Sequence, residues 1–153
     1  MMVRVSRGIV TLALLTLSAG AAATDGPTVS QAWARATAPG VDVGAVYLTI
    51  DGGGKNDTLV AASTARAAMV HLHTVEEAGG VAKMRAVDGI EVPAGKRVVL
   101  SPKGTHIMLM GLAKPLTPGE TFTLELRFAR SGERAVNVVV RAADAEAPPS
   151  APR

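Results

Sequence analysis

A chain of 153 residues without a single cysteine is long enough to bury one core, and it excludes a disulfide framework, a thiolate metal site and thiol redox chemistry. Its formal charge of +3 drops to +1 once an N-terminal leader carrying Arg4 and Arg7 is set aside. The remaining charges are scattered, with no basic block that could track a nucleic-acid backbone.

Residues 1–23 have the layout of a secretory signal peptide. Arg4 and Arg7 form the positive region, Ile9 to Leu17 is an apolar run broken only by Thr11 and Thr16, and Ala21-Ala22-Ala23 offers a cleavage site. The run is short for a spanning helix, no second apolar stretch of membrane length follows, and no cysteine is present to carry a bacterial lipid anchor. The expectation is a periplasmic protein with no stable membrane insertion. A β-domain is expected at 24–141 and a disordered tail, rich in Ala and Pro, at 142–153.

Val29 to Ala34 reads as a first strand, with Trp33, the only tryptophan, at a packed core or edge position. Ala38-Pro39-Gly40 turns the chain into a second strand, Val41 to Ile50, with Val46, Leu48 and Ile50 on one face and Tyr47 on the other. Asp51 to Asp57 is a glycine-rich turn without the Gly-Lys-Ser/Thr of a phosphate loop. Thr58 to Ser63 is apolar enough for a strand, and Met69 to Val75 has a period of two. Val70 and Leu72 share one side there, and Met69, His71 and His73 share the other. Glu76 to Gly80 is a turn. Asp88-Gly89, flanked by Val81 to Val87 and Ile90 to Val92, carries a hairpin signal. Further strands are expected at Arg97 to Leu100 and Thr105 to Met110, the latter with Ile107 and Leu109 facing away from His106, Met108 and Met110. The clearest alternation sets Phe122, Leu124, Leu126 and Phe128 against Thr121, Thr123, Glu125 and Arg127, and Val136, Val138 and Val140 line a last strand. Short strands between Gly/Pro turns predict an all-β protein, an antiparallel β-sandwich or barrel.

The segment from Met69 to Met110 holds all three histidines and every methionine beyond Met1 and Met2. Thioethers beside imidazoles, with no thiolate, suit monovalent copper better than zinc or iron. Singly, each residue has a plainer job: a methionine in a β-domain is commonly a flexible core filler, and a lone strand histidine is commonly hydrogen-bonded or at the surface. Their concentration favours a metal site. His73, Met84, His106 and Met108 are the leading candidates, and spacing alone leaves Met69, His71 and Met110 open.

His73, Met84, His106 and Met108 are separated by ten, twenty-one and one residues. Together with Leu72-His73-Thr74, Lys83-Met84, the run GTHIMLMGL at 104–112 and Pro-Leu-Thr-Pro-Gly-Glu at 115–120, this spacing resembles the periplasmic copper chaperones that serve the CuA centre of cytochrome c oxidase. The likeness covers about residues 29–140. It implies a cupredoxin-like β-fold, one Cu(I) ion per chain held by the two imidazoles and two thioethers, and delivery to a CuA-containing oxidase subunit or to another copper-delivery protein. Members of that family often carry an acidic residue two positions before the first histidine, where this chain has His71. The histidine-rich tail of some relatives is missing too, so no second copper site is expected there. The competing use is periplasmic storage or resistance by sequestering Cu(I); a structural or adhesion domain without metal comes next. No nucleophile motif and no paired carboxylates stand out, so the chain is read as a non-enzyme, and as a monomer.

Overall fold

The computed structural model describes residues 25–146. The leader expected at 1–23 lies outside the described residues, as do residues 147–153 of the tail. The described residues form ten strands and no helix: β1 (Thr28–Arg35), β2 (Val43–Asp51), β3 (Asp57–Ser63), β4 (Ala67–Ala78), β5 (Val81–Val87), β6 (Ile90–Val92), β7 (Arg97–Val99), β8 (His106–Leu112), β9 (Thr121–Phe128) and β10 (Gly132–Arg141). The alternation in β9 is realised as read, with Phe122, Leu124, Leu126 and Phe128 buried and their neighbours exposed. The same period of two puts Val138 and Val140 of β10 inside. Val46, Leu48 and Ile50 of β2 complete that core with Leu72, Ile107 and Leu109. The burial of these apolar residues is the main force holding the sheet together around them.

The strands follow the order β5-β4-β8-β2-β1-β10-β9-β3-β6, with β7 also paired to β2. The sheet curls so that its inner face surrounds a single core, the all-β, cupredoxin-like architecture expected from the sequence. One pairing departs from an antiparallel plan: β1 runs parallel to β10, with Trp33 beside Val139 and Arg35 beside Arg141. No hairpin joins these two strands, so their relative direction is free of the constraint that makes hairpin partners antiparallel.

Three local signals were resolved differently by the fold. Asp88-Gly89 is not a hairpin turn: β5 pairs with β4 while β6 pairs with β3. The reason is burial, because Ile90 and Val92 are buried in the core and residues 81–86 are exposed, so the chain leaves one sheet end for the other at this dipeptide. A Cβ on Gly89 would meet Thr58 at 2.8 Å, so the corner needs glycine for close approach. The actual hairpin between β4 and β5 is closed by Gly79 and Gly80, both at positive φ (61° and 77°), with Ala78 opposite Val81. That is the geometry that matches strand twist in a two-residue loop. Finally, β1 is bulged. Ser30 lies opposite Thr49 but Trp33 lies opposite Tyr47, so Gln31 and Ala32 together face Leu48, and Gln31 adopts φ 53°. The extra residue moves Trp33 off the core face of Val29 and onto the face of Tyr47. The side-chain oxygen of Gln31 accepts the Thr49 hydroxyl at 3.2 Å.

Asp57 ties the β3 start to the β9–β10 turn. Its carboxylate accepts the backbone N–H groups of Thr58 at 2.8 Å, Arg130 at 2.9 Å and Ser131 at 3.0 Å, and the Ser131 hydroxyl. Burial opposes its ionisation, but the Ser131 hydroxyl and these three amides outweigh it and hold its pKa below the usual carboxylate range. A group with a depressed folded pKa contributes stability above its unfolded pKa and loses it as pH falls through the folded value. Asp57→Ala is expected to lower unfolding stability by about 2–3 kcal/mol at neutral pH, since it strands several donors. Urea denaturation should show that deficit narrowing below about pH 4; an unchanged midpoint at neutral pH would contradict it.

Candidate metal centre

The register between β4 and β8 builds the site. Met69 lies opposite Met110, His71 opposite Met108 and His73 opposite His106. The intervening residues Leu72, Ile107 and Leu109 are buried in the core and Val70 packs against it, so a slip of one residue would turn the histidines inward and the core outward. On the other edge of β4, His73 lies opposite Ala86 and Val75 opposite Met84. Met84, two residues from Ala86, therefore stands on the His73 face. All four leading candidates thus project from one face of three adjacent strands.

His73 Nδ1 is 3.0 Å from the Met108 sulfur. The rings of His73 and His106 meet edge-to-face with centroids 5.8 Å apart. His106 is only 4% exposed. Its Nδ1 is 3.0 Å from the Gly104 carbonyl oxygen, which can only accept, so Nδ1 carries the proton and Nε2 keeps the free lone pair. A bond of this kind fixes both the tautomer and the ring orientation of a ligating histidine. Gly104 belongs to an excursion between β7 and β8, closed by Ser101 N–H to Thr105 O and Gly104 N–H to Ser101 O, both at 3.0 Å. β7 and β8 both pair along β2, so the excursion is a loop thrown out of one nearly continuous strand edge.

Behind the pair stand two aromatic rings: Tyr47 at 6.3 Å from His106, and Trp33 at 4.7 Å from Tyr47. Both are buried. Neither was read from the sequence as part of the site; the placement of Tyr47 opposite Val46 was the available signal, while Trp33 arrives there only through the bulge. Met84 is 54% exposed and lines, with His106, Met108, Tyr47 and Pro102, a cleft of about 380 Å³. Arg35 is the only charged side chain in that lining. Its Nε donates to the Ala145 carbonyl at 2.7 Å, which ties that part of the tail to a residue of the cleft.

Among the described residues no group of three or more His, Cys, Asp or Glu converges, so the hard-oxygen and all-imidazole cages of calcium or zinc are not assembled there. What converges is soft and neutral: two imidazoles with thioethers beside them. Partial burial, then the nearby His106 and His71, hold the His73 pKa below its usual value near 6.5. His73 is therefore an uncharged donor at neutral pH.

Comparison with known proteins places this geometry in context. The family model described as "Putative lipoprotein LpqE-like" matches residues 27–140. "Putative lipoprotein Lxx21020" of Leifsonia xyli subsp. xyli is 36% identical over 119 residues, which is 76% of this chain and 70% of that protein. The solution structure of CuI-DR1885 from Deinococcus radiodurans is similar with a TM-score of 0.66 at 32% identity, over 84% of this chain and 85% of that one. The copper-bound PCuAC domain from PmoF2 has the same fold, with a TM-score of 0.67 at 23% identity over 78% of this chain and 96% of that domain.

The depressed His73 pKa has a stability consequence. Between the folded pKa and about 6.5, the unfolded chain binds more protons than the folded one, so stability falls as pH drops through that window. An NMR titration of the imidazole resonances in the metal-free protein is expected to give His73 a midpoint below 6.5. A midpoint at or above that value would mean the ring is not desolvated as its position implies.

Proposed function

The chain belongs to the LpqE-like family, and on that footing we propose that it is a periplasmic, non-catalytic carrier of Cu(I). One tightly held ion would be bound by His73, Met84, His106 and Met108. The observation that carries the reading is the 3.0 Å approach of His73 Nδ1 to the Met108 sulfur beside His106, whose Nδ1 is already committed to Gly104. Two structures of this fold are described as copper-bound or in a CuI form, and one of them is 32% identical to this chain.

The donor chemistry fits the cargo. Thioether and imidazole ligands select Cu(I) by softness. Four neutral ligands leave the ion its single charge. Arg35, the one charged side chain in the cleft lining, disfavours the more highly charged Cu(II) electrostatically. Capture requires no deprotonation, because His73 is already neutral at neutral pH and the His106 tautomer presents Nε2. Binding should therefore weaken chiefly on acidification.

Delivery needs a ligand that an acceptor can replace first. Of the residues that line the cleft, Met84 is exposed whereas His106 is buried. An incoming donor from the acceptor would exchange with Met84, then with Met108, before the imidazoles let go. The CuA site of an oxidase subunit, or another copper-delivery protein, is the destination that the resemblance to the periplasmic copper chaperones implies.

Anaerobic titration against a chromophoric Cu(I) chelator is expected to show one tight equivalent. Met84→Leu preserves apolar volume but removes the sulfur, so its β-sheet circular dichroism should persist while affinity falls by on the order of tenfold or more. His73→Ala should weaken binding more than His71→Ala; the opposite ranking would reject His73 as ligand. In stopped-flow mixing, transfer to a CuA domain should accelerate with acceptor concentration. A transfer rate pinned at the spontaneous off-rate would instead favour storage.

A further inference from the structure

The soft-donor face does not end at the inner four residues. Two same-face rungs along the β4–β8 pair from His73–His106, Met69 lies directly opposite Met110, and the His71–Met108 rung lies between the two. Neither methionine belongs to the proposed inner site. Met69 is 54% exposed, so it is not a core filler; Met110 is half-buried and His71 is exposed. On an antiparallel pair, directly opposed Cα atoms are about 4.5–5.5 Å apart and same-face neighbours along a strand about 6.5–7 Å apart. Two unbranched thioether side chains and an imidazole set at those spacings can reach a common point above the sheet. The rings of His71 and His73 are inclined by 30°, with centroids 6.3 Å apart, so the His71–Met108 rung lies within one side-chain length of the His73–His106 rung. Met108 faces His71 across the strands while its sulfur touches His73.

We propose that Met69, His71 and Met110 form a second, outer position for a soft monovalent metal ion, adjacent to the inner site and separate from it. Two thioethers and one imidazole carry the same preference for Cu(I)-like ions over divalent ones. With three donors instead of four, and with two of them exposed, the outer position holds its ion more weakly than the inner one. It stands on its own residues; only its use as a neighbour to carried copper rests on the function proposed above.

Silver(I), soft, monovalent and inert to further oxidation, is a suitable probe. Calorimetric titration and native mass spectrometry of the protein with Ag(I) are expected to show two bound ions, the second at least tenfold weaker. Met69→Leu/Met110→Leu should abolish the second ion or weaken it a further tenfold while leaving the first within twofold. His71→Gln should weaken the same second ion, which provides an independent variant at an exposed position if the double substitution perturbs the sheet. Met84→Leu should do the reverse, weakening the first ion and sparing the second. A wild-type protein that takes one Met84-dependent ion only, or a double variant that keeps its second ion, would overturn the outer position and leave the carrier reading standing. Binding of a Met69-dependent ion with no Met84-dependent one would sustain the outer position and reject the inner assignment.

Discussion

The pairing of β4 with β8 in a single register is the constraint on which the site depends. Three opposed pairs, Met69–Met110, His71–Met108 and His73–His106, occupy one face because Val70, Leu72, Ile107 and Leu109 occupy the other. The core residues set the register, since a one-residue slip exchanges the two faces completely and would bury imidazoles in a hydrocarbon interior. Soft donors are therefore aligned by a hydrophobic force acting on their neighbours. The alignment of these imidazoles and thioethers is inherited from the packing of the core side chains on the opposite face.

Much of this was legible in the sequence, because the relevant information is local. A period of two in Met69–Val75 and Thr105–Met110 separates donors from core without reference to any other part of the chain. The pattern in β9 was equally direct. Features that depend on distant segments were not legible. Asp88-Gly89 has the composition of a hairpin turn, but whether flanking strands pair with each other depends on where Ile90 and Val92 find a core, and they find it against β3. The parallel contact of β1 with β10 joins residues about a hundred positions apart, and no local composition encodes it. The glycines at 52 and 53 carry no positive φ; a Cβ there would strike the carbonyl oxygens of Pro93 and Asp25 at 2.1 and 2.4 Å, so they answer to close backbone approach and not to turn geometry.

The support of the site shows the same division. His106 was legible as a candidate, but its tautomer is set by the carbonyl of Gly104, a backbone atom in a loop whose conformation the sequence does not announce. Trp33 reaches Tyr47, and through it the neighbourhood of His106, only because Gln31 sits at φ 53° and adds a residue to β1. A non-glycine residue in the left-handed region costs on the order of 1 kcal/mol, partly offset here by the contact of its side chain with Thr49. A backbone irregularity four strands away from β5 thus determines what stands behind the histidines.

The β4–β5 ribbon has a mechanical consequence. β5 is an edge strand that pairs with β4 alone. Its residues from Val81 to Arg85 bury nothing, and the Glu76–Arg85 ion pair that crosses it at 2.6 Å is solvent-exposed, of a kind worth little. The last rung with a buried anchor is Leu72 opposite Val87. Beyond His73, the last β4 residue paired with β8, the ribbon is a cantilever fixed at one end, closed at the other by Gly79-Gly80, with Met84 riding on its span. Bending such a beam leaves the buried core intact, so its opening free energy is separate from that of global unfolding. The fold thereby mounts three of the candidate ligands, His73, His106 and Met108, on a braced frame and the fourth, Met84, on a compliant arm, the arrangement of a clasp.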